Sequence, residues 1–287
     1  MKIAWIGAGI MGKAMLTHLL DANHQVSIYT RTMSKVSDLS HRATLANSIQ
    51  EAIKDVDVLF TMVSLPLDVE AVYLGEDGIL AHASSNTICV DMTTSSPTLA
   101  SKIAQIAKTK NIQVLDAPVS GGDIGAKNAT LTIMVGGDQQ AAKQVWPLFQ
   151  LLGKTITHVG PAGAGQHTKM ANQIAVASNV AGVAESISYA SKVGLDPKLV
   201  LAVISGGAAA SWQLSNNGSK MIDQDFNPGF MIVHFIKDLK LVLAEAKKVG
   251  LELPVVEKVL DLYQQNDDPL WQVLGTQALI KQYQLLP

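Results

Sequence analysis

The sequence predicts an α/β protein: a doubly wound sheet over residues 1–163, then an all-α half over 164–287 entered through a long helix. Three observations carry that prediction. Short apolar runs alternate with amphipathic helical stretches up to about residue 160, the rhythm of β-α-β units. Beyond Gly163 the pattern keeps only the helical period. Between the two regimes lies a glycine cluster, Gly160-Pro-Ala-Gly-Ala-Gly165, which marks the domain boundary.

Taken in order, strands are expected near 2–6, 25–29, 57–63, 87–91, 112–116, 130–135 and 155–159. Ser96 and Pro97 open a helix as N-cap and first-turn proline, and Asp138 caps another that reaches Leu152. The second half reads as helices near 164–192, 197–204, 235–249, 254–264 and 270–282, punctuated by glycine and asparagine. Of the 287 residues, 48% are hydrophobic and 16% charged, which suits a protein with a large core. A net charge of −2 with scattered lysines offers no basic stripe for nucleic acid, and no apolar run approaches the ~18 residues of a membrane span. The first residues form a strand instead of a signal peptide, and the single cysteine, Cys89, sits in an apolar strand, so a cytoplasmic protein is expected. The seven histidines show no metal-ligand spacing, and no metal is expected.

The N-terminus, Lys2-Ile-Ala-Trp-Ile-Gly-Ala-Gly-Ile-Met-Gly12, is a strand running into G-x-G-x-x-G and then a helical pattern with Met15, Leu16, Leu19 and Leu20. Gly7 permits the tight turn, Gly9 lets the backbone approach a pyrophosphate, and Gly12 lets helix and strand pack. The amides that open the helix, at Ile10 and Met11, then face the phosphates. This is the Rossmann-like dinucleotide fingerprint in its required context. After the second strand, Tyr29-Thr-Arg-Thr-Met-Ser34 lacks the acid that would take a ribose hydroxyl. Arg31, followed by Thr32, stands where a 2′-phosphate would be, and a guanidinium pairs with phosphate through two parallel bonds. NADP is therefore expected over NAD. The chain has one other arginine, Arg42.

The segment Gly160-Pro-Ala-Gly-Ala-Gly-Gln-His-Thr-Lys-Met-Ala-Asn172 carries a glycine-rich turn into a helix bearing a lysine. Lys169, Asn172 and Gln173 share one helical face. On a helix that is otherwise small and apolar, the ammonium needs a bound anion, a polar partner or a reacting oxygen, unless it snorkels to water.

Three more segments join these. Asp91-Met-Thr-Thr-Ser-Ser-Pro97 ends the fourth expected strand, Asp116-Ala-Pro-Val-Ser-Gly-Gly122 ends the fifth, and Asn227-Pro-Gly-Phe230 precedes Phe235-Ile-Lys-Asp-Leu239. In this order, over nearly the whole chain, the motifs resemble the β-hydroxyacid dehydrogenase family. Its members include 3-hydroxyisobutyrate dehydrogenase, tartronate semialdehyde reductase and glyoxylate or succinic semialdehyde reductases. The resemblance implies that Lys169 is catalytic, with Asn172 as its helical companion. It implies further that Ser120, Gly121 and Gly122 hold the substrate carboxylate, that Thr94 sits near the nicotinamide, and that Lys237 closes the pocket on substrate and cofactor. Val63 and Ser64, after the third expected strand, would line the cofactor ribose. A Ser-Gly-Gly turn suits the anion role, because consecutive amides in such a turn form a nest that glycine accommodates.

The implied reaction interconverts a small 3-hydroxy, 2-hydroxy or 4-hydroxy carboxylic acid and its semialdehyde or keto acid. NADPH delivers hydride to the carbonyl carbon and Lys169, its pKa lowered by burial among Ala171, Ile174 and Val176, gives a proton to the oxygen. The scarcity of arginine argues against a phosphorylated substrate, and hence against 6-phosphogluconate dehydrogenase, whose chain is also longer. Sugar-nucleotide dehydrogenases need a catalytic cysteine, which a strand-bound Cys89 does not supply. Imine reductases resemble this fold but typically carry aspartate or tyrosine at the position of Lys169. A catalytically silent NADP-binding module would have no use for Lys169, the Ser-Gly-Gly turn and Lys237 together. Trp212 is expected either at the pocket mouth or in the helical core. An apolar helical half implies a homodimer or homotetramer.

Overall fold

Val58-Leu-Phe-Thr61 and Ile88-Cys-Val-Asp91 are buried along their whole length, as strands covered by helices on both faces must be. In the computed structural model, which describes residues 1–266 and 268–283, they are central strands of one sheet. The helical half was drawn to residue 287 from the sequence, and its last four positions lie outside the described residues. The strands are β1 (Lys2–Ile6), β2 (Gln25–Tyr29), β3 (Thr44–Leu45), β4 (Val58–Thr61), β5 (Ile88–Asp91), β6 (Gln113–Asp116), β7 (Val119–Ser120), β8 (Leu131–Gly136) and β9 (Gly153–Gly160). Their order is β3-β2-β1-β4-β5-β6-β8-β7, with β9 on β8. Every pairing from β3 through β6 is parallel. The order reverses between β1 and β4, and the loops after those two strands carry Gly7–Gly12 and Val63–Ser64, so both lie at the topological switch point where α/β sheets bind ligands.

Two strands were not expected. Thr44–Leu45 and Val119–Ser120 are two residues each, too short to show a period. The purely β-α-β rhythm also gives way at β8, which runs antiparallel to β6 and β7 and parallel to β9. The short helix Gly122–Lys127 between β7 and β8 turns the chain back instead of crossing over. One core lies on each side of the sheet. Trp5 stacks on Phe60 at 5.4 Å, with Phe149 edge-on to Phe60, and on the other side Tyr73, Ile79 and Cys89 are buried. Burial pushes the Cys89 thiol up to about 12, so it is an inert core residue.

The chain divides into two compact units between Lys169 and Met170, within the long helix Ala164–Lys192. The sequence had suggested 163/164. The second unit is helical: Pro197–Ser205, Trp212–Ile222, Ile232–Lys248, Pro254–Gln264 and Pro269–Gln272 follow the long helix, and a 3₁₀ stretch, Thr276–Tyr283, ends the described chain. Phe235, Tyr263 and Trp271 fill its core. Tyr263 Oη donates to Thr276 O at 2.6 Å and Trp271 Nε1 to Tyr263 O at 2.8 Å, so both polar tips are satisfied in an apolar interior.

One helix here is unexpected and two expected ones differ in extent. Trp212–Ile222 had been missed because Ser215, Asn216, Asn217, Gly218 and Ser219 are weak helix formers; Ser211 caps it by accepting Leu214 N. The helix placed at 235–249 begins earlier, at Ile232. The single helix expected over 270–282 is broken at Gly275, whose amide donates to Phe226 O and which bridges Met231. Among the described residues, no helix is long and apolar enough to cross a membrane.

Candidate active site

The fingerprint turn is built by its glycines. Gly7 has φ +91°, and a Cβ there would run into the Met62 carbonyl. A Cβ on Gly12 would collide with the Gly7 carbonyl, which also accepts Trp5 Nε1 at 2.9 Å. Around Gly9 the space is open, with nothing within 4 Å of a built Cβ. The helix that follows, Ile10–Asp21, has neither a capping side chain nor an acid in its first turn, and Ile10 is exposed. Tight packing at Gly7 and Gly12, open space at Gly9 and an uncapped helix start fit a dinucleotide pyrophosphate, which would complete the unsatisfied amides.

Arg31 is 75% exposed, and Thr32 beside it is also exposed. The guanidinium pairs with Asp68 at 3.0 Å. Asp68 stands in the first turn of the helix Pro66–Leu74, where its other oxygen accepts Leu65 N at 3.0 Å. No acid directly follows β2 in sequence; Asp68 reaches Arg31 from the helix after β4. Val63 in that loop donates its amide to Thr93 Oγ1 at 3.0 Å; Ser64 is exposed and Thr94 half-buried. Behind them, the buried Asp91 accepts from Thr61 Oγ1 at 2.7 Å and Thr93 N at 3.1 Å, tying the ends of β4 and β5 together.

At the end of β7 the chain enters Ser120-Gly121-Gly122. Gly121 has φ +129° and Gly122 φ +63°, both in the region that glycine favours, and the short helix beginning here has no side-chain cap. Lys169, only 6% exposed, donates from Nζ to Val119 O at 2.8 Å. Of the alternatives open from sequence, the lysine therefore takes a polar partner inside the protein, at the residue next to Ser120, and does not snorkel. Lys169 and Val119, 50 residues apart in sequence, are thus brought together next to the Ser-Gly-Gly turn.

The sequence reading missed Asp116 and Gln166. Asp116 accepts Gly163 N at 2.7 Å on one oxygen and Gln166 N at 2.8 Å on the other. Burial pushes its carboxyl up to about 6, opposed by these two bonds and reinforced by Asp91. Gln166, fully buried, accepts Ser95 N at 2.8 Å and donates to Thr93 O at 2.7 Å. In sequence Asp116 is only an acid at a strand end; the glycine cluster it meets lies 47 residues on and is brought to it by the fold.

In the helical unit, Asn172 Nδ2 donates to Gln173 Oε1 at 2.8 Å, and Gln173 Nε2 donates to Asp238 Oδ2 at 2.6 Å. Lys237 pairs with Asp238 at 3.0 Å. Asp238 is 2% and Lys237 14% exposed, so the pair lies inside the protein. The buried Asp238, missed from sequence, is what joins Gln173 to Lys237. His234, stacked on Phe230, is held below its ordinary pKa by burial and by Lys237. Trp212 is 56% exposed, so it does not fill the helical core.

A family model described as the NAD binding domain of 6-phosphogluconate dehydrogenase matches residues 2–160, and one described as NAD-binding of NADP-dependent 3-hydroxyisobutyrate dehydrogenase matches 163–283. The chain is 42% identical to the 2-hydroxy-3-oxopropionate reductase of Escherichia coli over 92% of its length and 90% of the relative's. It is 44% identical to a probable 3-hydroxyisobutyrate dehydrogenase-like protein of Arabidopsis thaliana, covering 97% of this chain and 84% of that one. A solved structure of Mycobacterium tuberculosis 3-hydroxyisobutyrate dehydrogenase with L-serine shares 31% identity and a TM-score of 0.89, over 98% of each chain. With its two domain models in order and relatives matched nearly end to end, the chain belongs to the β-hydroxyacid dehydrogenase family, as an NAD(P)-dependent oxidoreductase acting on a CH–OH group.

Proposed function

We propose that the protein interconverts a small hydroxy carboxylic acid and its semialdehyde or keto acid, prefers NADPH to NADH, and uses Lys169 as general acid and base. The observation that carries this reading is the buried Lys169 ammonium, 2.8 Å from Val119 O and beside the turn Ser120–Gly122. The nicotinamide, when bound, supplies or accepts hydride. Gly9, Ile10, Met11 and Gly12 would hold its pyrophosphate, and Val63, Ser64 and Thr94 its ribose and ring. The Ser120–Gly122 amides orient the substrate carboxylate, so that the carbonyl oxygen rather than the acid group meets Lys169. In reduction Lys169 gives its proton to that oxygen as charge develops there; in oxidation it takes the proton back. Asn172 and Gln173 complete the polar face of the helix.

For the cofactor, Arg31 supports NADPH: its guanidinium is exposed and needs only to exchange Asp68 for a 2′-phosphate. The helix Pro197–Ser205 buries none of its residues and exposes Leu199 and Val203, which supports a homodimer or homotetramer. Initial rates on a panel of small aldehyde acids, measured with NADPH and NADH in parallel, test the proposal. Turnover with NADPH on at least one of them is expected, and a panel with no turnover despite NADPH binding contradicts it.

A further inference from the structure

A strand supplies the anion at the start of the long helix. Gly163 N and Gln166 N donate at 2.7 and 2.8 Å to the two oxygens of Asp116, which lies 47 and 50 residues earlier at the end of β6. Elsewhere in the chain, Ser96, Asp138 and Ser211 each cap the helix that immediately follows them. A local cap holds a helix together but leaves open where the helix lies. A carboxylate anchored in a strand instead ties the helix start to the sheet.

The arrangement works against burial. Asp116 is 3% exposed, Asp91 faces it in the paired register of β5, and its carboxyl is pushed up to about 6. Glycines make the room: a Cβ on Gly165 would collide with the Asp116 and Met134 carbonyls, and one on Gly136 would stand 2.6 Å from Asp116 Oδ1. Gln166 adds a second tie, through its side chain, to Ser95 N and Thr93 O. One turn along the same helix, Lys169 reaches Val119 O, three residues past Asp116. The short segment from Asp116 to Val119 therefore grips the helix at its start and at the lysine head.

We propose that Asp116, aided by Gln166, is a positioning residue for Lys169: it fixes the first turn of the long helix on the end of β6 and so sets where the ammonium stands beside Val119 and Ser120. This rests on the proposed role of Lys169 in proton transfer. A Lys169 head shifted by a fraction of an ångström would still leave both binding sites intact, so the effect belongs in turnover and not in binding.

The test is a double-mutant cycle on the intact enzyme, reading kcat, KM for aldehyde acid and for NADPH, and melting temperature. Asp116→Asn keeps the shape but turns a donor toward an amide. It should lower kcat by about 10- to 100-fold, leave the NADPH KM within about twofold, and cause no further loss of kcat in a Lys169→Ala background. A kcat within twofold of wild type, or losses that multiply in the double variant, would overturn the proposal. Gln166→Ala, which leaves Asp116 intact, gives a milder displacement of the same turn. If Asp116→Asn does not fold, a selective kcat loss in Gln166→Ala supports the proposal and an unchanged kcat overturns it. Near-native turnover in Lys169→Ala alone would remove the lysine from the mechanism, and with it this role for Asp116. A dead Lys169→Ala beside an active Asp116→Asn would overturn only the positioning role.

Discussion

The two glycine-rich turns of the sheet unit carry the same sequence signal and use it in opposite ways. At Gly7–Gly12 the helix start has no capping side chain, no acid in its first turn and open space at Gly9. At Gly160–Gly165 the helix start already holds an anion, the Asp116 carboxylate, and the glycines exist to let backbone close onto it. Glycine spacing before a helix therefore shows that backbone must come close to something. Whether that something is a ligand or the protein's own carboxylate depends on whether an acid stands at a neighbouring strand end.

The largest effect expected from this contrast is on packing. Gly12→Ala places a methyl group against the Gly7 carbonyl, with little room to move, and should destabilise by about 3 kcal/mol, the upper end for overpacking. Urea unfolding checks this; an unchanged midpoint would mean that the turn yields. Next comes the internal anion. The Asp116 carboxyl is raised from an ordinary 3.8 to about 6, so the folded state holds a proton that the unfolded chain gives up between those values. Its contribution to stability is therefore full below about pH 4 and lost as the pH rises through about 6, worth at most about 3 kcal/mol. Relative to Asp116→Asn, wild type should gain stability as the pH falls from 7.5 to 4.5, the reverse of a salt-bridged aspartate. A flat difference would contradict the raised value.

Smaller is the effect at the exposed guanidinium. Arg31→Ala should raise the NADPH KM about tenfold, about 1.4 kcal/mol, and leave that for NADH nearly unchanged. Equal kinetics of the native enzyme with both cofactors would contradict the role given to Arg31. Smallest is the effect of Gly9→Ala on the protein alone. With nothing near the added methyl, the melting temperature should stay within about a degree while NADPH affinity falls, which isothermal titration separates directly.

How much of this was legible in the sequence follows from how local each cause is. The central strands were readable because their apolar runs are long and bounded by turns, and the helix starts at Pro97 and Gln139 because their caps are adjacent. Thr44–Leu45 and Val119–Ser120 carry no periodicity, and Trp212–Ile222 is hidden by residues of low helix propensity. At the site, Lys169 and Ser120–Gly122 were visible as motifs. Asp68, Asp116 and Asp238 were not, since each acquires its meaning from a partner that only the fold brings near: Arg31, the Gly163–Gln166 turn and Gln173. A buried acid is silent in a sequence until its partner is known.

The central claim is that the Lys169 ammonium transfers the proton. It is tested most directly by single-turnover reduction of an aldehyde acid by NADPH in wild type, Lys169→Ala and Lys169→Arg, with NADPH affinity measured on the same preparations. The rate should fall by about 10² to 10⁴ in the alanine variant while NADPH affinity stays within a few-fold. Arginine should not restore it, because a guanidinium keeps the charge but does not release its proton near neutral pH. Rescue by arginine, or near-native rates in the alanine variant, would contradict proton transfer by Lys169.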